Sequence, residues 1–188
     1  MTKEAFRERE RALEEEFFHR VDARLLASLK ATLAAEAGRK QLAVATGFTD
    51  EKLLDELVEV GVSAEAIVAM SLAPLVLVAW ADGKLDTKER PSILKAAQEE
   101  GITETTPAGQ LLQYWLNTQP GPQLATAWKH YTQVVAEKMS YKTRASLCRD
   151  VVRRAQAVAK ASGGSPGFNA ISASEKRTIA DLKSAFDG

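Results

Sequence analysis

The stretch Ala66-Ile-Val-Ala-Met-Ser-Leu-Ala-Pro-Leu-Val-Leu-Val-Ala-Trp-Ala81 runs sixteen residues without a charged side chain. Glu65 and Asp82 bracket it, and it falls short of the roughly 20 apolar residues that span a bilayer. A segment apolar on every side is expected at the centre of a helical core. The pattern predicts a helix that begins at Ser63. Pro74 should kink it, because proline removes the bond to the Met70 carbonyl.

Upstream, Phe6, Leu13, Phe17, Val21, Leu25, Leu29 and Leu33 recur at spacings of four or seven. That periodicity predicts one long helix from Lys3 to about Glu36, with a single apolar stripe and Gly38 as its stop. The stripe needs a cover, which is either the rest of the chain or a second copy. A short helix from Arg39 to Thr46 should follow, ended by Gly47. Asp50 is placed to cap a helix from Glu51 to Val60, with Leu53, Leu54, Leu57 and Val60 inward and Gly61 closing it.

Downstream, helices are expected over about Asp86–Glu100, Pro107–Leu116, Gln123–Lys138, Ser140–Ala161 and Ser172–Phe186. Gly101, Gln119-Pro-Gly-Pro122 and Gly163-Gly-Ser-Pro-Gly167 are the breaks. No segment alternates with the period of two that marks a strand. The fold class is all-α.

The 188 residues carry 25 basic and 25 acidic side chains, which argues against a dedicated nucleic-acid binder. The balance is uneven: residues 137–188 hold ten basic and five acidic groups, among them Lys138, Lys142, Arg144, Arg149, Arg153, Arg154 and Lys160. This surplus reads first as a solvated helix face. An acidic partner or a peripheral contact with an anionic membrane surface is the other reading. A single cysteine, Cys148, leaves no internal disulfide, and Met1–Glu16 is densely charged. A cytoplasmic location is expected.

Two places share a pattern. Val78-Ala-Trp-Ala-Asp82-Gly83-Lys-Leu85-Asp86-Thr-Lys-Glu89-Arg90 joins two predicted helices. Val158-Ala-Lys-Ala-Ser162-Gly163 leads, after a longer loop, to Ile171-Ser172-Ala-Ser-Glu175-Lys176. Each reads as helix, small residues, glycine, aliphatic residue, cap, then a glutamate three residues on. Two copies suit a pair of pseudo-symmetric helix-loop-helix halves.

An apolar helix ending in Ala81-Asp82-Gly83 and followed by Asp86-Thr-Lys-Glu89 resembles the signature loop of the TerB-like (tellurite-resistance) helical domain. The resemblance covers residues 63–187. It implies a domain over 61–188, a bundle of two related halves, with residues 1–60 as an N-terminal helical extension. It also implies a non-enzymatic binding or scaffold protein of stress or tellurite response, with divalent metal held by the acidic loops. Ser162 stands where the pattern has its aspartate, and the second loop is longer.

The residues themselves admit two explanations of these loops. Asp86-x-x-Glu89 and Ser172-x-x-Glu175 have the spacing of capping boxes, a structural task that needs no ligand. Asp82, however, lies at a helix end, where the dipole disfavours a carboxylate. Asp82, Asp86, Glu89 and Glu175 are the candidate ligands for a hard cation, calcium or magnesium, which takes six or more oxygens. If the loops only cap, the chain reads as a protein–protein interaction adaptor whose N-terminal helix joins a partner or a second copy.

Little else points to chemistry. His19 and His130 have no neighbour at ligand spacing, so zinc is not expected. His130, beside Trp128 and Tyr131, reads as helix packing, and Cys148 as a core thiol despite Arg144 and Arg149. Tyr114, Trp115, Trp128 and Tyr131 are expected to lock a hairpin across the Pro-Gly-Pro turn, a partner pocket being the other reading. No catalytic constellation of nucleophile, base and orienting group can be named.

Overall fold

The computed structural model describes residues 31–162 and 171–187, and every regular element in them is helical. The elements are α1 (residues 31–46), α2 (Glu51–Glu59), a 3₁₀ segment (Ile67–Ser71), α3 (Ala73–Ala79), α4 (Glu89–Glu99), α5 (Pro107–Asn117), α6 (Pro122–Glu137), α7 (Tyr141–Ser162) and α8 (Ala173–Ser184). No described helix is long and apolar enough to cross a membrane.

The uncharged stretch lies at the centre, as its composition requires, but it is not one kinked helix. A 3₁₀ segment covers Ile67–Ser71, and Pro74 sits in the first turn of a new helix, α3. There the missing N–H costs nothing, since first-turn donors have no intrahelical acceptor. Seven residues are too few for a helix to hold itself, so α3 depends on tertiary packing. Leu72, Ala73, Leu75, Val76, Val78 and Ala79 are all buried, and α4, α6, α7 and α8 pack around them. Leu42, Phe48, Leu53, Leu54 and Leu57 join the same core from α1, α2 and the turn between them.

At the N-terminal side, Gly38 does not stop the helix. Residues 31–46 are continuous, and Gly47, at φ +69°, ends them. Where Gly38 has no side chain, a Cβ would meet only Val58 at 3.5 Å, an ordinary contact. The predicted helix from Lys3 lies mostly outside the described residues. Its described part is exposed throughout residues 31–37, and Leu33 is 65% exposed. Arg39 pairs with Asp55 at 3.2 Å and fastens the later part of α1 to α2.

The caps behave as the residue types demand. The Asp50 carboxylate accepts the Leu53 N–H at 2.9 Å, and Gly61 turns the chain at φ +82°. Glu100, at the end of α4, accepts the Ser71 hydroxyl and pairs with Arg154 of α7 at 2.5 Å, joining three elements. The four aromatics near the Pro-Gly-Pro turn serve separate contacts rather than one lock. Trp128 meets Phe186 edge-on, Tyr131 meets Phe48, and the Trp115 carbonyl accepts the Trp80 indole N–H at 2.9 Å. Tyr114 is left 61% exposed.

Candidate functional site

The loop between α3 and α4 is built from its own backbone. Gly83 takes φ +85°, a region that side-chain-bearing residues avoid, and its N–H reaches the Trp80 carbonyl at 2.9 Å. One Asp82 oxygen accepts the Lys84 N–H at 3.0 Å, an Asx turn that engages the carboxylate the helix dipole would otherwise disfavour. Asp86 likewise accepts the Lys88 N–H at 2.8 Å, two residues on rather than three. The expected capping box is therefore half formed. Glu89 does reach back to the Asp86 N–H at 2.9 Å, but Lys88 occupies the cap position without a side-chain bond. The Asp86 carbonyl receives the N–H of Glu89 at 3.2 Å and of Arg90 at 3.4 Å, so the chain tightens before Pro91.

The second loop forms the box completely. The Ser172 hydroxyl accepts the Glu175 N–H at 3.2 Å, and Glu175 accepts the Ser172 N–H at 2.5 Å. Each of the four candidate ligands thus has a backbone N–H of its own loop as a partner.

Glu89 and Glu175 are nonetheless unlike ordinary capping glutamates. They are 2% and 6% exposed, and with Thr132 they are the buried polar side chains among the described residues. The Glu89 carboxyl is pushed up to about 7, first by burial, which penalises its charged form. The negative charges of Glu175, Asp86 and Asp82 push in the same direction, while the Asp86 N–H opposes them. Two helix starts some eighty residues apart in the chain therefore bring their glutamates into one electrostatic neighbourhood. Carboxylate oxygens suit a hard cation, but among the described residues no group of three or more His, Cys, Asp or Glu side chains is placed to hold a metal ion.

Two contacts, those of His130 and Arg90, escape a reading by spacing. His130 of α6 lies between two carboxylates, with Nδ1 2.9 Å from Glu56 and Nε2 3.2 Å from Asp50. The expected helix packing is thus made through polar contacts, a clamp of α6 against α2 and its cap residue Asp50. Nothing local in sequence announces it, because its partners lie 74 and 80 residues away. Arg90 spans the α4 start and the α5 end, donating to the Leu116 carbonyl at 3.3 Å, to Asn117 at 2.9 Å and to Gln113 at 2.6 Å. A guanidinium there satisfies carbonyls that a helix end leaves open. A cleft of about 530 Å³ opens beside the Pro-Gly-Pro turn, between Tyr114, Trp115 and Gly61.

Cys148 is half-buried, and burial raises its thiol, with Lys183 and Arg149 opposing and Asp187 assisting. That is the setting of a packed thiol, not of an activated nucleophile.

Comparison with known proteins returns no match, whether to a family model, to a curated protein or to a solved structure.

Proposed function

We propose that the chain is a non-enzymatic scaffold or adaptor of the TerB-like kind, built from two helical hairpins and associating through its N-terminal helix. The observation that carries the two-half reading is the electrostatic influence of Glu175 on the buried Glu89. Each accepts the backbone N–H of the residue three before it, Asp86 or Ser172, and the charge of Glu175 acts on Glu89. The packing of α3 against both α7 and α8, and of α4 against α7, supports the same arrangement.

The binding element is the apolar stripe that runs from Phe6 to Leu33. Leu33, its last member, has no cover on the body of the protein, and residues 31–37 are exposed with it. A second copy of the chain supplies the cover through the same stripe. Sedimentation velocity on the full chain tests this. Leu29→Glu with Leu33→Glu should yield a smaller particle than the parent, and an unchanged particle rejects the stripe as the contact. A role in stress or tellurite response rests on the loop resemblance alone.

A second reading keeps a divalent cation at the first loop, and the gathering of Asp82, Asp86 and Glu175 charge around Glu89 favours it. Asp82 and Asp86 would have to turn from their Asx turns to complete a ligand set. Calorimetric titration with calcium and with magnesium, using Asp82→Ala as the control, decides the matter. Saturable heat lost in the variant supports this reading, and its absence in the parent ends it.

A further inference from the structure

The cationic surplus resolves into a line once α7 is a single helix. Lys142, Arg149, Arg153 and Lys160 are all exposed and are separated by seven, four and seven residues. At 100° per residue these positions fall within about 40° of one another, over a rise of about 27 Å. The segment Tyr141–Ser162 holds six cations and one anion in a chain of zero net charge. Arg154 is committed inward to Glu100, and Arg144 is half-buried, so neither belongs to the line. Asp150 is the sole acidic neighbour on α7. Its 3.5 Å contact with Arg153 is well exposed and of the kind worth little.

The opposite face of α7 is accounted for. Ala155, Val158 and Ala159 are buried, and α3, α4 and α8 cover the helix on that side. The exposed face therefore offers charge without an anchor. Ser146 and Ala157 stand between the cations, and the one large apolar group is Tyr141, 79% exposed, at the end of the line. The cleft beside the Pro-Gly-Pro turn and three others in the described residues are all lined without an α7 residue.

A protein interface draws its affinity from a few buried anchors in pockets, which this face lacks. Single-stranded nucleic acid needs aromatic platforms interleaved with the cations, and one terminal tyrosine does not supply them. A flat anionic surface needs neither, because it sums the attraction of each cation brought within a Debye length. We infer that the Lys142–Arg149–Arg153–Lys160 face of α7 docks the protein on anionic lipid headgroups, with Tyr141 at the interface.

Co-sedimentation of the full chain with phosphatidylcholine vesicles, with and without about 30% phosphatidylserine, tests the inference. The protein should pellet with the anionic vesicles alone and be released on going from 0.1 to 1 M salt, as the screening length falls from about 10 to about 3 Å. Each cation near such a surface contributes roughly five-fold in partitioning, so neutralising all four to glutamine should weaken binding by several hundred-fold. A control with Lys40, Lys52, Lys95 and Lys129 changed to glutamine alters net charge equally and should retain most of the binding. Helical circular dichroism verifies that both variants are folded. The inference is overturned if the parent ignores anionic vesicles, if both variants lose binding equally, or if a DNA duplex at equal salt binds more tightly than the vesicles.

Discussion

Glu89 stands three residues after Asp86 and Glu175 three residues after Ser172, each in the first turn of its helix, and each accepts the backbone N–H of that earlier residue, at 2.9 and 2.5 Å. Both side chains are buried, and the negative charge of Glu175 helps to hold the Glu89 carboxyl near 7. A hydrogen bond from backbone stabilises a carboxylate, while burial beside a second carboxylate does the opposite. At Glu89 burial wins.

This balance gives stability a pH dependence of definite sign. The folded state holds the Glu89 proton up to about pH 7, whereas the unfolded chain releases it near 4.5. The contribution is complete below 4.5 and is lost as pH rises through 7, a linkage on the order of 3 kcal/mol. Glu89→Gln keeps an oxygen for the Asp86 N–H and removes the titration. Urea unfolding should show a flatter stability profile from pH 5 to 8 and a variant more stable than the parent at pH 8. A profile as steep as the parent's would contradict the assignment.

His130→Ala removes the clamp between α2 and α6 and leaves the largely buried Glu56 carboxylate without the ring. The expected loss is about 1–3 kcal/mol. Glu56→Gln in the same chain should cost less on top of His130→Ala than it does alone. Thermal melts of the four proteins read the coupling, and simple additivity would show that the contact contributes nothing.

Gly83→Ala tests the first loop through backbone alone. No atom lies within 4 Å of the position a Cβ would take, so crowding plays no part. The φ of +85° should cost about 1–2 kcal/mol. Gly38→Ala, in the middle of α1 with one contact at 3.5 Å, should instead be neutral or stabilising. If the two substitutions behave alike in chemical denaturation, the conformation of the loop is wrong.

Leu75→Ala places a cavity in the middle of α3, where the side chain is 1% exposed. Cores of this kind lose about 2–5 kcal/mol on such truncation. Val44→Ala, at an 88% exposed position on α1, should change stability by less than about 0.5 kcal/mol.

The sequence was most legible where a residue type has one local use. Asp50, Gly61, Gly101 and the Pro-Gly-Pro turn declare helix ends because the capping and turn chemistry is contained within a few residues. The uncharged stretch declared its burial for the same reason. It did not declare its conformation, since proline is as content in the first turn of a new helix as it is disruptive inside an old one. Gly38 misled because a glycine within a helix and a glycine after one look alike in a string of letters.

For the candidate site the division is similar. The reach of Glu89 to Asp86 and of Glu175 to Ser172 followed from spacing. Their burial, and the His130 and Arg90 contacts, depend on partners from distant helices that no local pattern encodes. The cationic line on α7 lies between these cases. Its four residues have helical spacing in the sequence, but which cations are free to face outward is settled only by Arg154 turning to Glu100.

The proposed two-half arrangement turns on the Glu89 and Glu175 carboxyls sharing one interior neighbourhood. Carbon-detected NMR of the side-chain carboxyls, followed from pH 3 to 9, measures this directly. Glu89 should titrate near 7, and its midpoint should fall when Glu175 is changed to glutamine. A Glu89 midpoint near 4.5, or one that Glu175→Gln leaves unmoved, would contradict it.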